Sequence, residues 1–144
     1  MFRKVVVAYN ESPEAERALH SAIQLAKSLG AELRTITVVT GLPAYTAFAR
    51  AADPSMSRVL GEDQLKFYEA LQEKARVAAK LHGIEAHGDI VEGREVEAIL
   101  GYLREQAADL LVVGLHQPDL YISRLWSTVY DLAQEAPCSV LGIH

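Results

Sequence analysis

Apolar positions along this chain follow two rhythms. Val5-Val6-Val7-Ala8 and Leu110-Leu111-Val112-Val113 are short runs with no polar residue between them. Runs of this length, aliphatic on every position, predict strands covered on both faces, the habit of parallel sheets. Between the runs, apolar residues recur at three and four. Ala15, Ala18, Leu19, Ala22, Ile23, Ala26 and Leu29 share one helical face. Ser12-Pro13-Glu14 ahead of them supplies a hydroxyl cap, a proline at the first helical position and an acid in the first turn. Gly30 is the expected stop.

The same reading carries through the chain. Residues 33–39 predict a second strand. Residues 41–57, with Pro43, Pro54 and several alanines, read as a long loop or a short irregular helix, of the kind that often serves function. A long helix is expected over 60–82, with Phe67, Tyr68, Leu71, Ala75, Ala78 and Leu81 inward and Gly83 after it. A strand over 84–91 follows, then a helix over 95–107 with Val96, Ile99, Leu100 and Leu103 inward. A strand over 109–114, a helix over 127–135 and a strand over 139–143 complete the pattern. Strand and helix alternate throughout, which predicts an α/β fold: one open five-stranded parallel sheet with helices on both faces and right-handed crossovers. No linker or repeat divides the chain, so residues 1–144 are expected to form one domain.

Composition narrows the function. Half of the 144 residues are hydrophobic, 23% are charged, and the net charge is −5 with the basic residues scattered. That argues against nucleic acid, which selects a basic stripe. A small anion is still compatible, because backbone amides hold one without lysine. Cys138 is the single cysteine, so no internal disulfide forms. The N-terminal apolar run is too short for a signal peptide, and no run approaches the roughly 20 residues of a membrane helix. Cytoplasm is the expected location.

One segment carries candidate chemistry. Gly114-Leu115-His116-Gln117 leaves the fourth strand, and Ser127-Thr128-Val129 follows after nine residues. A glycine leaving a buried strand, then hydroxyls opening a helix, is a common way to hold phosphate. The pattern fits equally a glycine that ends a strand and a serine that caps a helix. Ligands of open parallel sheets bind beyond the strands' carboxyl ends, where strand order reverses. In a 3-2-1-4-5 sheet that point lies between strands one and four, where residues 9–12 and 114–117 would face each other.

On these residues the chain resembles the universal stress protein family. The resemblance spans the whole length and is strongest at Ala108-Asp109-Leu110-Leu111-Val112-Val113-Gly114 and Ala136-Pro137-Cys138-Ser139-Val140-Leu141. It implies a Rossmann-like, adenine nucleotide alpha hydrolase-like sheet of order 3-2-1-4-5. It also implies a homodimer through the last strand, by Val140, Leu141 and Ile143. ATP-binding members carry Gly-x-x-Gly, nine residues, then Gly-Ser or Gly-Thr. Gly114 matches the first glycine and Thr128 the hydroxyl, while Gln117 and Ser127 replace glycines. Asn10 stands where ATP binders have an aspartate, and Val38 matches a valine that borders adenine. The resemblance thus implies a crevice for ATP, with magnesium, formed by Asn10, Val38, Gly114, His116, Gln117, Ser127, Thr128 and Val129.

The remaining candidates have plain readings. His20, His82, His87, His116 and His144 form no metal-ligand spacing. Cys138 reads as a small buried hydrophobe, Arg124 as solvated or facing a phosphate, and Trp126 as a packing anchor. No constellation for bond-making chemistry stands out, so the expectation is a binding protein with at most slow ATP hydrolysis. The alternative is a nucleotide-independent interaction module of the same fold. An ATP pyrophosphatase or adenylate-forming enzyme would show a Ser-Gly-Gly loop after the first strand, where this chain has Tyr9-Asn10-Glu11-Ser12.

Overall fold

The computed structural model describes residues 1–40, 54–115 and 122–144, with side chains described from Glu62 and from Thr128 onward in the last two stretches. Its elements run β1 (Lys4–Ala8), α1 (Pro13–Leu29), β2 (Glu32–Val39), α2 (Pro54–Leu81), β3 (Ala86–Glu92), α3 (Glu95–Gln106), β4 (Leu110–Gly114), α4 (Ile122–Glu135) and β5 (Ser139–Ile143). The five strands form one sheet of order β3-β2-β1-β4-β5, and all four pairings are parallel. This matches the expected fold and strand order.

The continuous apolar runs explain why β1 and β4 lie at the centre. Val5, Val6 and Val7 have no exposed surface, and neither do Leu111 and Val112. Alternate residues feed two cores. Val5, Val7 and Tyr9 pack with α1, α2, Leu33, Leu110 and Val112, while Val6 packs with Ile36, Leu111, Val113, α3 and Leu132 of α4. Burying a side chain of this size contributes about 1.5–3 kcal/mol, so the paired cores dominate the drive to fold. The amino ends of β1 and β4 are tied by Asp109, whose carboxylate accepts from the Arg3 and Lys4 amides at 2.7 and 2.9 Å.

Two helices start earlier than the sequence pattern suggests. α2 begins at Pro54, so part of the stretch read as a loop is helical. Proline marks loops, but it also suits a first helical turn, where its missing N–H has no partner to lose. α4 begins at Ile122 rather than Ser127. Ile122, Leu125, Trp126, Val129 and Leu132 keep helical spacing, so the apolar periodicity runs back past the serine. The rest of residues 41–57, namely 41–53, lies outside the described residues. Three residues expected inward face solvent instead: Leu29, Phe67 and Leu81 are exposed. The inner face of α2 is formed by Leu71, Gln72, Ala75 and Ala79, with Tyr68 and Ala78 packed beside them, so the expected stripe holds at Tyr68, Leu71, Ala75 and Ala78.

Candidate functional site at the carboxyl ends of β1 and β4

The sheet order reverses between β1 and β4, and register brings three of the expected residues to the carboxyl end there. Ala8 pairs with Ile36, so Asn10 and Val38 both lie two residues beyond that pair. Val7 pairs with Val112, so Gly114 lies level with Tyr9. Of the other expected residues, Thr128 and Val129 are half-buried on α4, and Val129 packs on the core around Leu132. Ser127 is placed in α4 by its backbone alone, and His116 and Gln117 lie outside the described residues.

The early start of α4 changes what Ser127 and Thr128 can offer. The four free amides of a helix belong to its first turn. Ser127 and Thr128 come after that turn in a helix that begins at Ile122, so their amides belong to the hydrogen-bonded ladder. They do not form the expected helix-start anion site.

Asn10 is exposed and shapes the turn into α1. Its Oδ1 accepts from the Ser12 amide at 2.9 Å and from the Ser12 hydroxyl at 2.5 Å. Ser12 in turn caps α1, its Oγ accepting from the Ala15 amide at 3.2 Å. This Asx-turn leading into an N-cap satisfies helix-end donors that the chain would otherwise leave open. With Oδ1 engaged twice, Asn10 has its amide hydrogens to offer outward. Such a group suits a phosphate or ribose oxygen and is unsuited to a metal ion.

Gly114 is required by packing. A Cβ on it would run into the main-chain carbonyl of Glu14, in the first turn of α1. The space freed by the glycine is therefore taken by the helix. Beyond it, the Leu115 amide donates to the Ile143 carbonyl at 2.7 Å, which steers the chain over β5.

Tyr9 follows β1 level with Gly114, within the expected residues 9–12, and its side chain is buried in the core. Its amide donates to the Ile36 carbonyl at 2.9 Å, and its hydroxyl donates to Glu16 at 2.7 Å. Burial, then the Glu16 bond and charge, push the phenol well above its usual pKa, so it stays protonated. Partial burial acts to raise Glu16. The hydrogen bonds from Lys74 and Tyr9, with the charge on Lys74, outweigh it and hold that carboxyl below its usual range. A second cluster lies behind. Thr35, Thr37 and Gln72 are buried and hydrogen-bond to one another. One signal for it was present in sequence: Thr35 and Thr37 share a strand face with Leu33, and polar groups buried there need partners.

A groove of about 620 Å³ runs along the opposite edge of the sheet, lined by Arg34, Glu69, Gln72, Arg76, His87 and Asp89 among others. Its charges pair locally: Arg34 bridges Glu32 and Asp89, and Arg76 pairs with Glu73. Among the described residues, no group of three or more His, Cys, Asp or Glu could hold a metal ion. None of the described helices is long and apolar enough to cross a membrane.

Comparison with known proteins places the chain. The model of the universal stress protein family matches residues 1–144. The chain belongs to the universal stress protein family. It is 31% identical over 144 residues to a universal stress protein of Thermus aquaticus, covering 98% of either chain. Universal stress protein YxiE of Bacillus subtilis is 30% identical over 149 residues, again with 98% of each covered. Among solved structures, a universal stress protein in complex with cAMP is 28% identical, with a TM-score of 0.76 and coverage of 99% of this chain and 97% of that one.

Proposed function

We propose that this chain is a stress-response protein that holds an adenine nucleotide at the carboxyl ends of β1 and β4. It acts in the cytoplasm as a homodimer, with residues 1–144 working as one domain. The observation that carries the proposal is the reversal of strand order beside Asn10, Val38 and Gly114, which register brings to one end of the sheet. A family member solved with cAMP supports an adenine ligand. ATP is the ligand we favour. In this reading Val38 borders the ring and the Asn10 amide donates to a phosphate or ribose oxygen. Gly114, His116, Gln117, Ser127, Thr128 and Val129 line the phosphate side, with the Gln117 amide and the Ser127 hydroxyl in place of the missing glycines. Magnesium would be held by the nucleotide's own phosphates, because the acceptor oxygen of Asn10 is already engaged. The role is binding, with at most slow hydrolysis.

Calorimetric titration with ATP and magnesium, and separately with AMP and cAMP, tests this. Saturable heat at micromolar to millimolar nucleotide is expected. A flat titration at millimolar concentration would instead favour a nucleotide-independent interaction module. A specific observation keeps that second reading in view: Asn10 and Gly114 both serve α1 without any ligand.

The dimer is proposed through β5. Among the described residues no strand pairs with its outer edge, Leu141 is 39% exposed, and Val140 and Ile143 are half-buried. An unpaired apolar edge is a template for a second copy. Leu141→Lys should shift sedimentation from dimer to monomer; a variant that still sediments as a dimer rules out this edge.

A further inference from the structure

The nucleotide reading leaves the Thr35, Thr37 and Gln72 cluster without a task. Thr35 and Thr37 have no exposed surface and Gln72 is 7% exposed, so the cluster lies largely out of water. Such a group is costly unless every atom is paired. Here each is paired, and in one direction. The Thr35 hydroxyl donates to Gln72 Oε1 at 2.5 Å, which turns Gln72 Nε2 towards Thr37. Nε2 donates to Thr37 Oγ1 at 2.6 Å and lies 3.4 Å from the Asp89 carbonyl. Thr37 then donates its only hydrogen to the Tyr9 carbonyl at 2.8 Å. That carbonyl belongs to the peptide that leads into Asn10.

A second path from α2 reaches the other end of the same residue. Lys74, two residues after Gln72, bridges Glu16 at 2.6 Å, and Glu16 accepts from the Tyr9 hydroxyl. Gly88 on β3 makes room for the arrangement: a Cβ there would fall on the Gln72 amide and 2.7 Å from the Thr35 hydroxyl. A leucine would bring no polar atom of its own to this face of the sheet, but it would leave the buried Thr35 hydroxyl without a partner. The amide does what a leucine cannot: it orients a main-chain carbonyl three elements away.

We propose that Gln72 is a positioning residue for the nucleotide crevice, acting through Thr37 to set the Tyr9–Asn10 peptide; the inference rests on the nucleotide reading above. Docking of α2 thereby fixes the direction in which Asn10 presents its amide. Thr37 is the relay, and Thr35 fixes the orientation of Gln72.

The test uses the full chain and four variants. Thr37→Val keeps shape and removes the relay, Thr37→Ser keeps the hydroxyl, and Gln72→Leu removes the source. Leu71→Ala loosens the same turn of α2 without touching the relay. Two readouts are followed: ATP affinity, and the amide NMR shifts of Asn10 and Ser12 in ligand-free protein. Thr37→Val and Gln72→Leu should bind ATP roughly three- to tenfold more weakly, the scale of one hydrogen bond, and should shift both amides. Thr37→Ser should restore both readouts, and Leu71→Ala should leave both unchanged despite lower stability. Unmoved amides and wild-type affinity in Thr37→Val, or equal changes in Leu71→Ala, would overturn the proposal. Should one relay variant fail to fold, the other decides. Should the wild-type chain bind no ATP, the nucleotide reading fails by itself, and the Asn10 and Ser12 amides still decide whether the relay orients the loop.

Discussion

The two walls of the crevice are held in different ways. On the β4 side, Gly114 is pressed against the Glu14 carbonyl, and close packing fixes the wall at that point. On the β1 side, Asn10 follows a peptide gripped by hydrogen bonds that run through Thr37, Gln72, Glu16 and Lys74. A steric wall tolerates no added atom but needs no partner. A hydrogen-bonded wall tolerates isosteric change only where donors and acceptors still match. The first kind leaves a clear mark in sequence, a glycine at a strand end. The second is spread over residues far apart in the chain, and its members look ordinary one at a time.

The contrast can be broken by substitution. Gly114→Ala should have the largest effect. Its Cβ meets main-chain atoms that cannot rotate away, so destabilisation of about 2–3 kcal/mol is expected in urea unfolding. A loss within about 0.5 kcal/mol would show that α1 gives way and that the wall is not steric. Gln72→Leu should come next, at about 1–3 kcal/mol, because it leaves the Thr35 donor without its buried partner. A neutral or stabilising result would mean that water or rearrangement replaces the amide. Asn10→Ala should cost about 1 kcal/mol through loss of the Asx-turn ahead of α1, while Asn10→Asp should stay close to the wild type. Equal losses in both variants would separate the turn from its oxygen acceptor.

The smallest and broadest effect concerns pH. Partial burial acts to raise Asp109, but hydrogen bonds from the Arg3 and Lys4 amides outweigh it and lower its pKa; Glu16 is lowered by Lys74 and Tyr9. A carboxyl depressed in the folded state contributes stability that is fully present above its unfolded pKa of about 4. That contribution is lost as pH falls through the lower folded value. The melting temperature should therefore fall below about pH 4, and Asp109→Asn should flatten part of the fall. An unchanged acid limb in that variant would remove Asp109 from the account.

Much of this was legible in the chain. The unbroken runs at Val5–Val7 and Leu110–Val113 gave away a buried parallel sheet, because no half-exposed strand tolerates them. The ends of α2 and α4 were less legible. Pro54 serves loops and helix starts alike, and Ser127 resembles a cap although the apolar spacing continues back to Ile122. Residue contacts between Thr37 and Tyr9, or between Gln72 and Thr35, span 28 and 37 positions. No local pattern encodes such pairs; only the buried alternation of threonines hinted that partners were needed. At the site, Asn10, Val38 and Gly114 come together through strand register, which follows once the order 3-2-1-4-5 is known.

The central claim is that nucleotide enters between the two walls. Amide chemical-shift mapping of the full chain during titration with ATP tests it most directly. The account predicts saturable shifts at Asn10, Ser12, Val38, Gly114 and Thr128, with His87 and Asp89 in the opposite groove unmoved. Shifts centred on His87 and Asp89, or none at millimolar ATP, would contradict it.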